Sequence, residues 1–464
     1  MDASAKSTST NGARCRRIWG WYFFDWASQP YNTILLTFIF GPYLKELLGD
    51  GTRAQAAWGF GIAGAGVTMA ILAPILGALA DTSGTRMRWI WIFSIMYVAG
   101  SAGLWFAAPG NFNLPLSLIC FAIGLVGMEF ATIFTNALLP DLGSQDEIAR
   151  ISGNGWAFGY LGGLLALITV VCLFAEDPAT GATILDRPPL LGLDPEMREG
   201  TRAAGPFTAL WYVVFMVPFF AFVRDPRPRN APHGTIRQAI LDVVGTVKSL
   251  PTRPSLFAFL GASMFYRDAL NGMFTFGGIY AAGVLGWSVV ETGLMGVIAI
   301  VVSTLFAWMG GRAAELFGPK RVIMVSIVVL VVVAFCFIFV SRGAVFGVPV
   351  ASGSKLPDII FYVLGATIGA AGGTLLPCSR TMMVEQGDSS KMTEGFGLYA
   401  LSGKATSFLT PLSIGAVTAA TGSQQMGVTP LVLWLVIGFV LLTFVRPAQG
   451  HQTETDCGQY APGS

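Results

Sequence analysis

The chain has 464 residues, of which 53% are hydrophobic and only 12% charged, with a formal net charge of +2. Soluble chains carry about 25% charged residues, so this composition excludes a water-soluble domain with a large core and indicates an integral membrane protein. The basic residues are scattered, which gives no nucleic-acid-binding face, and the six cysteines and two histidines show no CxxC or metal-ligand spacing, so neither a disulfide framework nor a metal or other cofactor is expected.

Residues 1–17 are polar, end in Arg14, Arg16 and Arg17, and read as a cytoplasmic N-terminal tail. The apolar run that follows is too long for a signal-peptide core and lacks a small-residue cleavage site, so it reads as a retained first span. A membrane helix needs about 20 apolar residues. Such runs lie at 18–44, 55–79, 89–107, 114–138, 151–175 and 206–223, and again at 255–285, 290–311, 321–341, 357–384, 395–420 and 428–446. Their continuity excludes a β-barrel, whose strands alternate over about ten residues. The prediction is an all-α integral membrane protein of twelve transmembrane helices in two bundles, 18–223 and 254–446. The segment 224–253 joins them. It is basic, and Ile236, Ile240, Val243, Val247 and Leu250 recur at helical spacing, as expected of an amphipathic helix on the membrane surface. The polar tail 447–464 is expected to be disordered. With both termini in the cytoplasm, only Lys45, Arg53, Arg187, Arg198, Arg202, Arg342 and Lys355 face the other side. Arg267 and Lys404 are taken as the bases inside spans, and Arg380 is counted with the cytoplasmic ones. This bias supports the orientation and a place in the cell inner (plasma) membrane.

One motif is duplicated. Gly77, Asp81, Gly84 and Arg86 between spans 2 and 3 recur as Gly311, Glu315, Gly318 and Lys320 between spans 8 and 9, at the same spacing and 234 residues on. Phe24-Asp25 in span 1 resembles Arg267-Asp268 in span 7 at an offset of 243, and the shorter connection Gly286-Trp287-Ser288 accounts for the change of offset. A duplicated six-helix half is the pattern of the major facilitator architecture. The motif residues are expected to form tight turns and cytoplasmic latches between the halves.

Charge inside a bilayer costs about 2.5–3.5 kcal/mol per group on insertion scales, so Asp25, Glu129, Arg267, Asp268 and Lys404 should face a cavity or a partner. Spans 3, 6, 9 and 12 carry no such group. Glu129 is flanked by Val126, Gly127, Met128, Phe130 and Ala131, a surround that disfavours the charged form and suits a proton carrier. Arg267 and Lys404 can hold an anionic substrate group, Arg through a bidentate fork, and Asn136 and Asn271 can add neutral hydrogen bonds. Asp25 suits a permanent ion pair, with Arg267 as the expected partner. Asp268 points about 100° away from Arg267 on a helix and should have a partner of its own. Gly155, Gly159 and Gly163, and again Gly365, Gly369 and Gly373, form small-residue faces for close helix approach. Gly59-Phe-Gly61-Ile-Ala-Gly64 satisfies a dinucleotide-binding pattern, but no βαβ unit surrounds it.

Several stretches resemble one branch of the major facilitator superfamily. They are Trp19-Gly-Trp-Tyr-Phe-Phe-Asp25-Trp26-Ala27-Ser28, Asn136-Ala-Leu-Leu-Pro140-Asp141-Leu142, and Ser152-Gly-Asn-Gly-Trp156-Ala-Phe-Gly159-Tyr160-Leu-Gly-Gly163. In the second half Asp268-Ala-Leu-Asn271, Phe276-Gly-Gly-Ile-Tyr280-Ala-Ala-Gly283 and Gly395-Phe-Gly397-Leu-Tyr399-Ala-Leu-Ser-Gly403-Lys404 are similar. The branch is the "unknown major facilitator" family, related to the fungal vacuole effluxers of autophagy. Leu375-Leu-Pro377-Cys378-Ser379-Arg380 departs from the polar, Gln-containing version of its position. The resemblance implies a transporter and, by analogy with the fungal members, export of amino acids. The expectation is a monomeric secondary transporter of a small polar metabolite, working by alternating access with proton coupling. The alternative is a non-transporting receptor or sensor on the same scaffold. An enzyme is disfavoured because no histidine lies in a span.

Overall fold

Inside a bilayer every backbone polar group needs an internal partner, which long apolar runs satisfy as helices. The computed structural model describes residues 2–446 apart from 50, 84, 85, 179, 226–235, 288, 352 and 407. Gly84, part of the linker and the tail 447–464 therefore lie outside the described residues. In the first half, α1 (Asp2–Pro30) continues as a π-helix (Tyr31–Phe38) and a short helix (Phe40–Leu48). Then come α2 (Gly51–Ser83), α3 (Arg86–Gly103), α4 (Leu114–Asn136), α5 (Gln145–Leu173) and α6 (Ala204–Phe222). The linker helix is α7 (Ile236–Ser249). The second half holds α8 (Pro254–Val284), α9 (Val289–Phe317), α10 (Pro319–Ile338), α11 (Leu356–Gln386), α12 (Met392–Ala405), α13 (Leu409–Thr421) and α14 (Thr429–Thr443).

Among the described residues, nine helical segments are long and apolar enough to cross a membrane. The expected spans that fall short are 18–44, 255–285 and 395–420. The first two are diluted by Trp, Tyr, Asn and the charges Asp25, Arg267 and Asp268, and the third is split into α12 and α13. The apolar criterion thus fails at three of the spans that carry intramembrane charge. Two further departures are local. The expected tail 1–17 is largely a helical extension of α1, and the loop after α10 holds a small hairpin, β1 (Ala344–Val345) with β2 (Val348–Pro349).

Within the first half α1 packs on α5 and α6, and α4 on α2 and α3; within the second, α11 packs on α9 and α10, and α14 on α8 and α10. Aromatic side chains fill both interiors, among them Trp21, Phe24, Tyr31, Tyr97 and Phe134 in one and Phe259 and Tyr266 in the other. Ile95, Leu210, Val325 and Val363 point outward, as lipid-facing residues must. The two glycine faces serve packing inside each half: Gly155 and Gly159 lie against α1 at Trp21 and Asp25, and Gly369 and Gly373 against α9 at Ala299 and Ser303.

Helix ends follow local chemistry. Asn113 caps α4 by accepting from the Leu116 amide at 3.0 Å, and Glu147 accepts from the Ser144 amide at 3.0 Å to start α5. Gly318, with φ of 79°, is the single residue between α9 and α10, a left-handed position that favours glycine. We call the end bearing Arg17, Arg224, Arg253 and Arg446 the linker end. At the far end Glu176 is buried. It accepts from Arg198 at 2.8 Å and from the amide and hydroxyl of Thr201, while Arg198 also pairs with Glu46 at 2.7 Å. The long loop expected at 176–205 is thereby strapped to the short helix Phe40–Leu48.

Candidate functional site

The halves meet near the linker end along two seams, α2 on α12 and α5 on α9. Each seam is close enough to exclude side chains. A Cβ on Gly153 would lie 2.6 Å from the Ala307 carbonyl, and one on Gly397 would lie 2.7 Å from that of Ala73. A Cβ on Gly311 would lie 2.9 Å from the Ala149 carbonyl, and one on Gly77 would lie 2.7 Å from that of Thr393. Ala73 and Gly77 match Ala307 and Gly311 at the motif's offset, so the two seams are one contact made twice.

The motif acids sit at these seams. Asp81 accepts from the Glu394 amide at the start of α12 at 2.8 Å, and from Arg86 at 2.9 Å. Arg86 also faces Asp141 at 3.6 Å and donates to the Ala137 carbonyl. Glu315 pairs across the other seam with Arg150 at 3.3 Å. Arg150 in turn faces Glu147, which holds Arg14 of α1. The second copy departs from the expected latch in its base. Lys320 turns to the end of α14 and donates to the carbonyls of Thr443 and Val445 at 3.0 and 2.6 Å. Starting α10 right after Gly318 aims it there, where its charge meets unsatisfied helix carbonyls.

Beside the α5–α9 seam, at Ser152 next to Gly153, lies a buried polar knot centred on Arg380 of α11. Its guanidinium pairs with Asp25 of α1 at 3.1 Å and donates to Asn136 of α4 at 3.1 Å. It also donates to the hydroxyl and carbonyl of Ser152 on α5, at 2.9 and 2.7 Å. The charge lies 4.7 Å from the ring of Trp21 and 5.6 Å from that of Trp156, within cation–π range. The Arg380 side chain is 4% exposed and that of Asp25 14%. Every one of these partners belongs to the first half, so Arg380 is a second-half side chain buried in the first. This corrects two expectations. Arg380 is not a base of the linker-end loop, and Asp25 does not pair with Arg267: Asp25 takes Arg380, and Arg267 turns to the Tyr399 carbonyl.

Arg267 and Asp268 instead act on the split helix. Arg267 donates to the Tyr399 carbonyl of α12 at 3.0 Å, and its guanidinium lies 4.1 Å from the Tyr399 ring. Among the described residues no carboxylate lies within ion-pair distance of it. Asp268 accepts from the amide and hydroxyl of Thr410 at 3.0 and 2.7 Å, in the first turn of α13. An anion there satisfies an orphan amide and complements the helix dipole. Consecutive residues on α8 thus hold consecutive segments of the broken helix. Glu129 is half-buried on α4, seven residues before Asn136 and on the same face, about 10 Å farther from the linker end. Asn271 is exposed, and the side chain of Lys404 lies outside the described residues. The site therefore gathers Asp25 and Asn136 with Arg380, Ser152, Trp21 and Trp156, which sequence reasoning had not brought together. Arrangements of this kind can hold two halves shut at one end and expose paired opposite charges when they part.

A family model described as "Vacuole effluxer Atg22 like" matches residues 51–455. The MFS-type transporter YxiO of Bacillus subtilis is 24% identical over 444 residues, covering 95% of this chain and 96% of that protein. Autophagy-related protein 22 of Cryptococcus neoformans is 25% identical over 316 residues, 66% of this chain and 51% of the fungal protein. Among solved structures, the major facilitator proton:xylose symporter XylE has a TM-score of 0.66 at 13% identity, over 95% of this chain and 97% of its own. The major facilitator transporter FucP in its outward conformation has a TM-score of 0.59 at 16% identity, over 93% and 98%. Similarity this distant carries the fold alone, and that fold is the major facilitator one.

Proposed function

We propose, on the premise that this chain belongs to the vacuole effluxer Atg22-like family and is a multi-pass transporter of the major facilitator type, that it exports a small polar metabolite, an amino acid, from the cytoplasm by alternating access. The observation that carries this reading is the Arg380 knot. It ties the halves together beside seams that must part for the linker end to open. Removing one partner of a buried pair costs about 3–5 kcal/mol, enough to define a closed state. The asymmetry of Lys and Arg supports a cytoplasmic linker end with both termini inside. In this reading the bundles at 18–223 and 254–446 are the two moving bodies of a monomer. Asp81 and Glu315 are the gate, with Gly77 and Gly311 as its contact points. Arg267 and Asn271 of α8 face the substrate path from the second half, with Asp268 holding the start of α13 beside them.

Proton coupling runs through Glu129, whose apolar flanks and position on the Asn136 face support that role. The test is flux of an amino-acid panel in proteoliposomes, with and without a pH gradient. Glu129→Gln should abolish gradient-driven accumulation and spare exchange. Accumulation at the wild-type level in Glu129→Gln would take that residue out of the coupling path, and a wild type that moves no amino acid in either direction would overturn the substrate.

A further inference from the structure

We infer that Asp25 and Arg380 form a dyad that a zwitterionic ligand takes over when the linker end opens, the ligand's anionic group on Arg380 and its ammonium on Asp25. The inference rests on the transporter reading above and assigns the residues that would recognise both charges of the cargo.

The argument starts from what separation does. With the linker end closed, the carboxylate and guanidinium neutralise each other at 3.1 Å, and the remaining donors of Arg380 go to Asn136 and Ser152. The acid sits in the first half and the base in the second. Any movement that parts the seams pulls them apart and leaves two opposite charges in a low-dielectric wall, a strongly unfavourable state. An anion would rescue Arg380 and leave Asp25 uncompensated. A cation would do the reverse. Only a solute bearing both charges restores both partners, by making two charge-assisted bonds of about 2.8 Å each in place of the one that broke. The dyad lies about 9 Å from the linker end, since Arg380 is six residues before the end of α11 at Gln386. The ligand therefore arrives from that side, and its release lets the pair re-form as the seams close. Trp21 and Trp156 lie against the guanidinium and would flank a ligand bound there.

The experiment uses the full chain. For the amino acid that wild-type protein transports best, uptake and thermal stabilisation are measured beside its carboxylate-only and amine-only analogues. Wild type should prefer the zwitterion over both. Asp25→Asn should shift preference to the carboxylate-only analogue, and Arg380→Gln to the amine-only one, each by about 10- to 100-fold, the effect of one charge-assisted hydrogen bond. The double variant Asp25→Asn/Arg380→Gln leaves no unpaired charge, so it should fold and bind the zwitterion about 10-fold or more weakly. A wild-type order of preference in either single variant, or wild-type zwitterion binding in the double variant, would overturn the dyad and leave the transporter reading standing. Absence of flux for every solute in wild type would instead remove the transporter reading beneath it.

Discussion

The seams α2 on α12 and α5 on α9 share backbone geometry and differ in the chemistry that fastens them. Ala73 and Gly77 approach Gly397 and Thr393 as Ala307 and Gly311 approach Gly153 and Ala149. At the first seam the acid, Asp81, is 5% exposed, takes a helix-start amide from the opposite half and keeps its own base, Arg86, beside it. At the second, Glu315 is 25% exposed and takes a 43% exposed arginine, Arg150, from the opposite half. Arg150 and Glu394 hold corresponding places at the starts of α5 and α12. A base at that place lets side chains make the bridge, whereas an acid there leaves only the backbone amide to offer. The comparison teaches that a duplicated fold conserves the close approach of backbones more strictly than the charges around it.

Four predictions test that difference. The largest effect should come from the shared part. Gly153→Leu or Gly397→Leu forces a side chain into backbone, and overpacking costs about 1–3 kcal/mol or more. Both variants should shift spin-label distances across the linker end to longer values, and an unchanged distribution in either would refute the shared seam. Next is Asp81→Asn, which leaves Arg86 with Asp141 at 3.6 Å as its remaining carboxylate. A loss of about 1–3 kcal/mol from the closed state is expected, read as raised linker-end cysteine labelling and reduced transport. Smaller still is Lys320→Gln. It should lower thermal stability by about 0.5–1.5 kcal/mol by uncapping α14 with seam distances unchanged; longer distances would return Lys320 to the gate. The smallest is Glu315→Gln, at about 0–1 kcal/mol for an exposed pair. Wild-type linker-end labelling should rise with salt, as screening weakens that pair, and the variant should lose this response. A full salt response in Glu315→Gln would break the contrast between the seams.

The sequence carried much of the architecture, because long apolar runs and the matched motif spacing are local properties. Asp25 and Asn136 were legible as polar groups that a membrane helix keeps only for a reason. Arg380 was not. It lies near the end of its run, where a base ordinarily snorkels to the interface, and only packing against the other half buries it. The signal available was its place inside the run 357–384, downstream of Pro377 and Ser379. Arg150 was hidden in the same way, since its partner is 165 residues away in sequence. The split between α12 and α13 is bracketed by Gly403 and by Pro411 in the first turn of α13, breakers inside what reads as one apolar run. Its partner contacts come from Arg267 and Asp268 on another helix.

The strap at the far end bears on how sidedness can be mapped. Residues 176–203 look like the natural place for an epitope tag or a protease site, being the longest connection on that side. Yet Glu176, Arg198, Thr201 and Glu46 are joined in one network, and Arg202 lies over Trp105 while donating to its carbonyl. An inserted tag would pull on both α6 and the short helix after α1, so a silent protease assay there would report a tethered loop rather than a wrongly assigned side.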